Sequence, residues 1–256
     1  AWASYYGVLS RAKMMDNEVK KFMKKYPDCV IVSIGCGLDT RFLRIDNGKI
    51  RWYNLDLPEV IEKRKLFFEP NERVTDIAKS AFDSAWTKDI KLEGKKLLII
   101  SEGVLMFFEE QQIKQFLEIL TDNFDSFEAQ FDLLYKGTVK MSKKHDTLKN
   151  MEAKFSWGVK DGSEVVKLNP KLKQTGLINF TDEMKHHLPG WKKLFIPFFY
   201  IFNNRLGIYT FGKNYDKLKV INFKENGIDI DFNDFKVISS ENPTIYRNKN
   251  DIYFQK

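Results

Sequence analysis

VIVSIGCGLDTRF, residues 30–42, is the stretch around which the rest of the chain is arranged. Its first five residues are apolar except Ser33, and the run stops at Gly35. A short β-branched run of that kind reads as a strand buried on both faces, as in a parallel sheet. Gly35 and Gly37 then permit a tight turn and let a ligand approach the backbone closely. Residues 38–43 start a short helix with Asp39 at its mouth. Strand, glycine turn and helix start, in that order, mark the place where doubly wound α/β folds hold nucleotide-like cofactors.

Outward from this stretch, residues 50–55 form the next strand, and Asp56 closes it about 20 residues after the glycines, where an acid can accept hydrogen bonds from both hydroxyls of an adenosine ribose. Upstream, residues 5–25 suit a helix whose apolar stripe is Val8, Met15, Val19, Phe22 and Met23. Pro58 fits the first turn of a helix to about Phe68, and a short strand is expected near residues 73–77. Asp83, Ser84 and Trp86 mark a loop. Residues 97–100 form a second fully apolar strand, ending at Ser101, Glu102 and Gly103. A helix over 109–120 and a strand over 128–134 continue the alternation. The expected fold is therefore α/β: a doubly wound, mainly parallel, Rossmann-like sheet.

Residues 136–180 break this rhythm, being polar and lysine-rich, and a substrate-side insertion or lid is placed within 136–205. Thr181 is expected to cap a helix to about Leu188. Residues 195–202 and 207–212 read as a pair of edge strands. From Asn214 the composition shifts toward Asn and Asp, so 1–213 is taken as the main domain and 214–256 as a small β appendage.

The chain has 256 residues, a net charge of +7 and a pI near 9.1. Lysine and arginine are spread along it, which describes a solvated basic surface better than a nucleic-acid footprint. Cys29 and Cys36 form no CxxC pair, and a reducing, cytoplasmic setting is expected. The start at Ala1 looks trimmed, so an upstream segment is an expectation. The apolar run 194–202 is far short of the roughly 20 residues that span a bilayer, and a core strand is expected there. With His145, His186 and His187 the only histidines, no catalytic triad or metal cluster can be assembled. Asp122-Asn123 is read as a helix C-terminal turn rather than a metal site.

IGCGLDTRF (34–42), WYNLDLPEV (52–60), IAKSAFDSAW (77–86) and SEGVLMFF (101–108) together resemble the leucine carboxyl methyltransferase family. FSWGV (155–159) fits its bacterial branch, which is similar to polyketide-synthesis O-methyltransferases. The resemblance covers roughly residues 4–212 and implies a class I methyltransferase with S-adenosyl-L-methionine as cofactor. It implies that Arg11 holds the methionine carboxylate and that Gly35, Cys36 and Gly37 lie under the cofactor. Asp56 and Leu57 would bind the ribose, Ser80 and Ala81 the adenine, and Glu102 the amino-acid part. Phe107 and Trp157 are aromatic candidates for the acceptor pocket, with core packing as the alternative. Ser33 stands where the broad methyltransferase pattern has an acid, Asp39 takes the third glycine position, and Ser80 stands where the adenine partner is often acidic. Phe107 replaces a tyrosine found near the substrate carboxylate in some relatives, which points away from a protein C-terminal leucine.

The expected reaction is methylation of a carboxylate or acidic hydroxyl on a small molecule, with no catalytic side chain assigned and no nucleic-acid or membrane partner. A carboxylate nucleophile is already ionised, so alignment and desolvation can carry the rate. An NAD(P)-dependent oxidoreductase would require glycine at position 40, which is Thr40. An amino-methylating nucleic-acid enzyme would want an Asn/Asp-Pro-Pro-aromatic turn where Ser101-Glu102-Gly103 stands.

Overall fold

The computed structural model describes residues 2–139, 154–212, 221–222, 244–248 and 251–255. Two compact units emerge, Ala1–Tyr215 and Asp216–Lys256. In the first, α1 (Trp2–Lys25) leads into β1 (Val30–Ile34), α2 (Arg41–Ile45) and β2 (Arg51–Asp56). Next come α3 (Pro58–Arg64), β3 (Val74–Ala78), β4 (Leu97–Ser101), α4 (Glu110–Asn123) and β5 (Phe127–Leu133). After α5 (Lys136–Val139) and α6 (Ser163–Leu168), β6 (Lys173–Asn179), α7 (Thr181–His187), α8 (Ile196–Phe202) and β7 (Arg205–Phe211) complete it.

The seven strands lie in the order β3-β2-β1-β4-β5-β7-β6. The first five are parallel, and β7 runs antiparallel between β5 and β6. This is an α/β sheet wound in both directions from β1, so the strand order reverses between β1 and β4. The strand period of two explains why the core has two halves. From β1, Val30, Val32 and Ile34 enter one apolar cluster with Trp86, Phe116 and Leu120, while Ile31 enters another with Met15, Val19 and Phe22. From β4, Leu97 and Ile99 join the first cluster and Leu98 and Ile100 the second. Each such side chain, fully buried, contributes about 1.5–3 kcal/mol.

Several local expectations need correction. Residues 195–202 are not a strand: 190–195 form a 3-10 turn and 196–202 form α8. Pro197 lacks the N–H a ladder needs but fits a first helical turn, and β7 pairs instead with β6. The run 194–202 is accordingly not core either, since Leu194, Phe198 and Ile201 are exposed. Residues 84–89 are a 3-10 turn rather than an open loop. The cap of α7 is Phe180, not Thr181, which is buried and accepts a hydrogen bond from Asn203 Nδ2. Val8 is exposed and Met14 takes its place in the stripe, because the sheet packs only against the C-terminal part of α1. Asp122 makes an ion pair with Lys171 at 2.7 Å.

The second unit contains a three-stranded antiparallel sheet of β8 (Ile221–Asn222), β10 (Asp251–Gln255) and β9 (Thr244–Asn248), with β10 in the middle.

Candidate active site

The carboxyl ends of β1, β2 and β4 converge at the reversal of strand order, the position where open α/β sheets leave a crevice. The turn after β1 is anchored to the end of β2: Gly35 and Cys36 both donate their backbone N–H to the Leu55 carbonyl, at 2.8 and 3.2 Å. Gly35 and Gly37 have φ values of +63° and +49°. Asp56 is held between the turn and α3, accepting from Gly37 N at 2.7 Å and from Leu57 N at 2.8 Å. Each carboxylate oxygen has a second lone pair free of these bonds.

The two glycines differ in kind. A Cβ on Gly35 would lie 2.4 Å from Val104 Cγ2, whereas one on Gly37 would meet nothing within 4 Å. Gly35 thus lets the turn lie against the segment after β4, and Gly37 leaves open space over the turn. Gly35→Ala is expected to destabilise the fold by about 1–3 kcal/mol, from overpacking and a positive φ. Gly37→Ala is expected to cost only the φ term, about 1 kcal/mol. Chemical denaturation of both variants checks the order, and equal losses would refute it.

A chain of ion pairs borders the turn. Glu102, just past β4, accepts from Arg11 Nε at 2.8 Å through one oxygen and from Arg41 Nη2 through the other. Arg41 is 1% exposed and also donates to Asp16 at 2.6 Å and Asp39 at 2.7 Å. Arg44 grips Asp16 from outside at 2.8 Å. Arg11 extends the chain to Asp132, at 3.2 Å from its Nη1. Asp132, near the end of β5, is fully buried and also accepts from Gly103 N at 3.0 Å and Asn204 Nδ2 at 3.3 Å. Burial would raise the Glu102 carboxyl, but Arg11 and Arg41 outweigh it and hold it below the ordinary range. At Asp132 burial wins over Arg11, and the carboxyl is pushed up to about 6. Burial also pushes the Cys36 thiol up to about 12, so it stays protonated at neutral pH.

Between the turn and these ion pairs lies a cavity of about 300 Å³, whose walls include Ala12, Gly35, Cys36, Asp39, Arg41 and Glu102. Of the residues picked out in the sequence, Gly35, Cys36 and Glu102 face it directly, and Arg11 borders it through Glu102. Gly37, Asp56 and Leu57 are not among the residues lining this cavity; the hydrogen bonds of Asp56 tie Gly37 and Leu57 to the end of β2. Ser80 and Ala81 follow β3, tied to the same edge where Lys79 N donates to the Asp56 carbonyl at 3.0 Å. Phe107 stacks on Phe155 with ring centroids 5.5 Å apart. Trp157 is 5% exposed and belongs to the core cluster on the α4 face, so packing accounts for it.

Sequence reasoning passed over Arg41, Asp16, Asp132 and Arg64. Arg64, on α3, donates from Nη1 to the carbonyls of Gly37 (3.0 Å) and Asp39 (2.9 Å), so α3 holds the glycine turn from behind. Arg41 lies within the quoted TRF segment, and its type and place were the available signal. Nothing local marks Asp132, an acid at the end of an apolar strand.

Strand order and the crevice define the class: the fold is that of class I S-adenosylmethionine-dependent methyltransferases. A solved structure of a proposed methyltransferase from Thermobifida fusca YX superposes with a TM-score of 0.61 at 11% identity, covering 81% of this chain and 82% of that one. The leucine carboxyl methyltransferase family matches residues 3–121, a little under half of the chain. Over 153 residues it is 26% identical to the tetracenomycin polyketide synthesis O-methyltransferase of Streptomyces glaucescens, covering 59% of this chain and 56% of that enzyme. Leucine carboxyl methyltransferase 1 of Debaryomyces hansenii is 30% identical over 76 residues, 28% of this chain and 21% of that protein. The chain thus spans little more than half the length of the longer-matching relative.

Proposed function

We propose that this chain transfers a methyl group from S-adenosylmethionine to an oxygen of a small molecule, a carboxylate or an acidic hydroxyl. The observation that carries this reading is the placement of opposite chemistries on the two sides of one glycine turn. Asp56 supplies an acceptor pair for a ribose diol, and the Arg11–Glu102 pair supplies a donor and an acceptor for an amino acid. Arg11 Nη2 makes neither of its two ion-pair bonds and is the donor for the methionine carboxylate. Glu102 keeps lone pairs for the ammonium. Leu57, beside Asp56, bounds the ribose, and the loop with Ser80 and Ala81 takes the adenine. Phe107 lies on the acceptor side.

Charge supports the same ligand. Asp16, Asp39, Glu102 and Asp132 outnumber Arg11, Arg41 and Arg44 by one, so the network as drawn is net −1. S-adenosylmethionine, with a sulfonium, an ammonium and a carboxylate, is net +1. It supplies a methyl group that is electrophilic without further activation. What the arginines and carboxylates around the cavity keep beyond their ion pairs goes to the amino-acid part of the cofactor, so the acceptor brings its own negative charge, and what the chain adds is alignment and exclusion of water. Oxygen as the acceptor atom is also what the name of the Streptomyces glaucescens relative specifies for that enzyme.

Calorimetric titration with S-adenosylmethionine and S-adenosylhomocysteine, with NADH as control, tests the cofactor. Micromolar binding of the first two is expected; binding of neither, or of NADH alone, overturns the reading. Transfer of labelled methyl to a panel of carboxylic acids and phenols then tests the acceptor, with base-labile esters separating carboxylate from hydroxyl products.

A pH dependence follows from Asp132. With its carboxyl raised to about 6 from an ordinary 3.8, it takes up a proton in the folded chain as pH falls through 6. That removes one negative charge from a site for a cation, so affinity for S-adenosylmethionine is expected to drop roughly tenfold from pH 7.5 to 5. For stability the sign is opposite: the ionised, buried carboxylate costs stability above pH 6, and the cost is relieved as pH falls toward 3.8. Asp132→Asn should lose the pH step in affinity. A step that persists in the variant would assign it elsewhere.

A further inference from the structure

We infer that the face formed by residues 189–203 is a docking surface for an anionic phospholipid bilayer. Trp191, Leu194, Phe198 and Ile201 follow one another at intervals of three, four and three residues, the spacing of one helical face. They are 65%, 80%, 54% and 53% exposed, so this stripe points into solvent rather than into the core. The opposite side of the segment is already packed. Trp2 meets Phe195 and Phe199 edge-on at 6.1 and 5.9 Å and reaches the margin of the stripe at Trp191, 6.5 Å away, while Phe202 meets Tyr135 at 5.9 Å. A surface helix normally shows the reverse pattern, with its apolar stripe inward.

The charge around the stripe selects the occupant. Between Glu183 and Asp216 the chain has no acidic residue, but it has Lys185, Lys192, Lys193, Arg205 and Lys213. Lys192 lies over the Trp2 ring at 4.7 Å, with its charge beside the stripe. Asp182, on α7, accepts from the Tyr200 hydroxyl at 2.7 Å and lies 3.6 Å from Lys185, and Glu183 is paired with Lys13 at 2.6 Å. Bulky apolar side chains flanked by lysines, with a tryptophan and a tyrosine among them, are the composition of interfacial helices that lie in the headgroup region. The centre of a protein interface is instead depleted in lysine. The contact is with the surface: no helix among the described residues is long and apolar enough to cross a membrane. The bilayer reading stands apart from the methyltransferase reading and does not depend on it.

The test is co-sedimentation of the full chain with phosphatidylcholine vesicles, with and without about one-third phosphatidylserine. Binding to the anionic vesicles only, weakening with salt, is expected. Leu194→Asp combined with Phe198→Asp should weaken it about a hundredfold. Lys192→Gln with Lys193→Gln should weaken it about fivefold per lysine. Because both altered side chains in the first variant point outward, an unchanged thermal transition checks that it folds; should it fail to, the lysine variant carries the test. Three results each overturn the proposal: no co-sedimentation with anionic vesicles, binding unaffected by both variants, or a dimer in vesicle-free solution that Leu194→Asp dissociates.

Discussion

Replacing Glu102 with alanine is expected to lower the thermal transition by about 10 °C and to abolish measurable binding of S-adenosylmethionine. Glu102 bonds two arginines, one of them wholly buried, and its removal leaves both guanidiniums short of a counter-charge. Breaking a buried ion pair from one side costs about 3–5 kcal/mol, and in a unit of about this size each kcal/mol corresponds to roughly 2–4 °C. Glu102→Gln keeps the shape and one acceptor oxygen, so it should fold better than the alanine variant while still binding the cofactor poorly. Thermal scans with and without S-adenosylmethionine separate the two effects. A Glu102→Ala chain with a near-native transition and ligand-induced stabilisation would show that the arginines are held by other groups and that the cofactor's ammonium lies elsewhere.

Asp56→Ala should act on binding more than on stability. The carboxylate is half-buried at the end of β2, where water can replace it as partner for Gly37 N and Leu57 N, so a stability loss of about 1–2 kcal/mol is expected. Binding loses two charge-assisted hydrogen bonds to the ribose and the support of the glycine turn, together about a hundredfold or more in affinity for S-adenosylmethionine and S-adenosylhomocysteine alike. Asp56→Asn retains one acceptor and should fall between. Equal affinity of wild type and Asp56→Ala in calorimetry would remove Asp56 from the site and leave it as a cap for α3.

Both predictions concern residues that the amino-acid sequence alone singles out. Asp56 is legible because strand length, turn length and the position of an acid at a strand end are local facts, and the period of the apolar runs identifies the strands. The same holds for Gly35, whose turn follows directly on β1, although the reason for glycine there, the approach of Val104, required the fold. Arg11 and Glu102 are paired in space across 91 residues. No spacing rule connects them, and the family resemblance alone brought them together. Arg41 and Asp132 were missed for the same reason: a charge is identified as a partner by what is near it, and nearness across a sheet is not written in sequence separation.

The run 194–202 shows the opposite failure. An apolar stretch is locally consistent with a strand or a helix and with an inner or an outer position, since periodicity alone does not say which side faces the core. Pro197 and the pairing of β6 with β7 decided for helix, and the packing of Trp2 against its inner side decided which aromatics face water. By itself, then, the sequence determined the parallel sheet, its glycine turn and the acid that closes β2, because apolar periodicity and turn chemistry act over a few residues. Only the tertiary structure decided the arginine–carboxylate chain at the cavity and the outward face of α8, because both depend on which distant segments the sheet brings together.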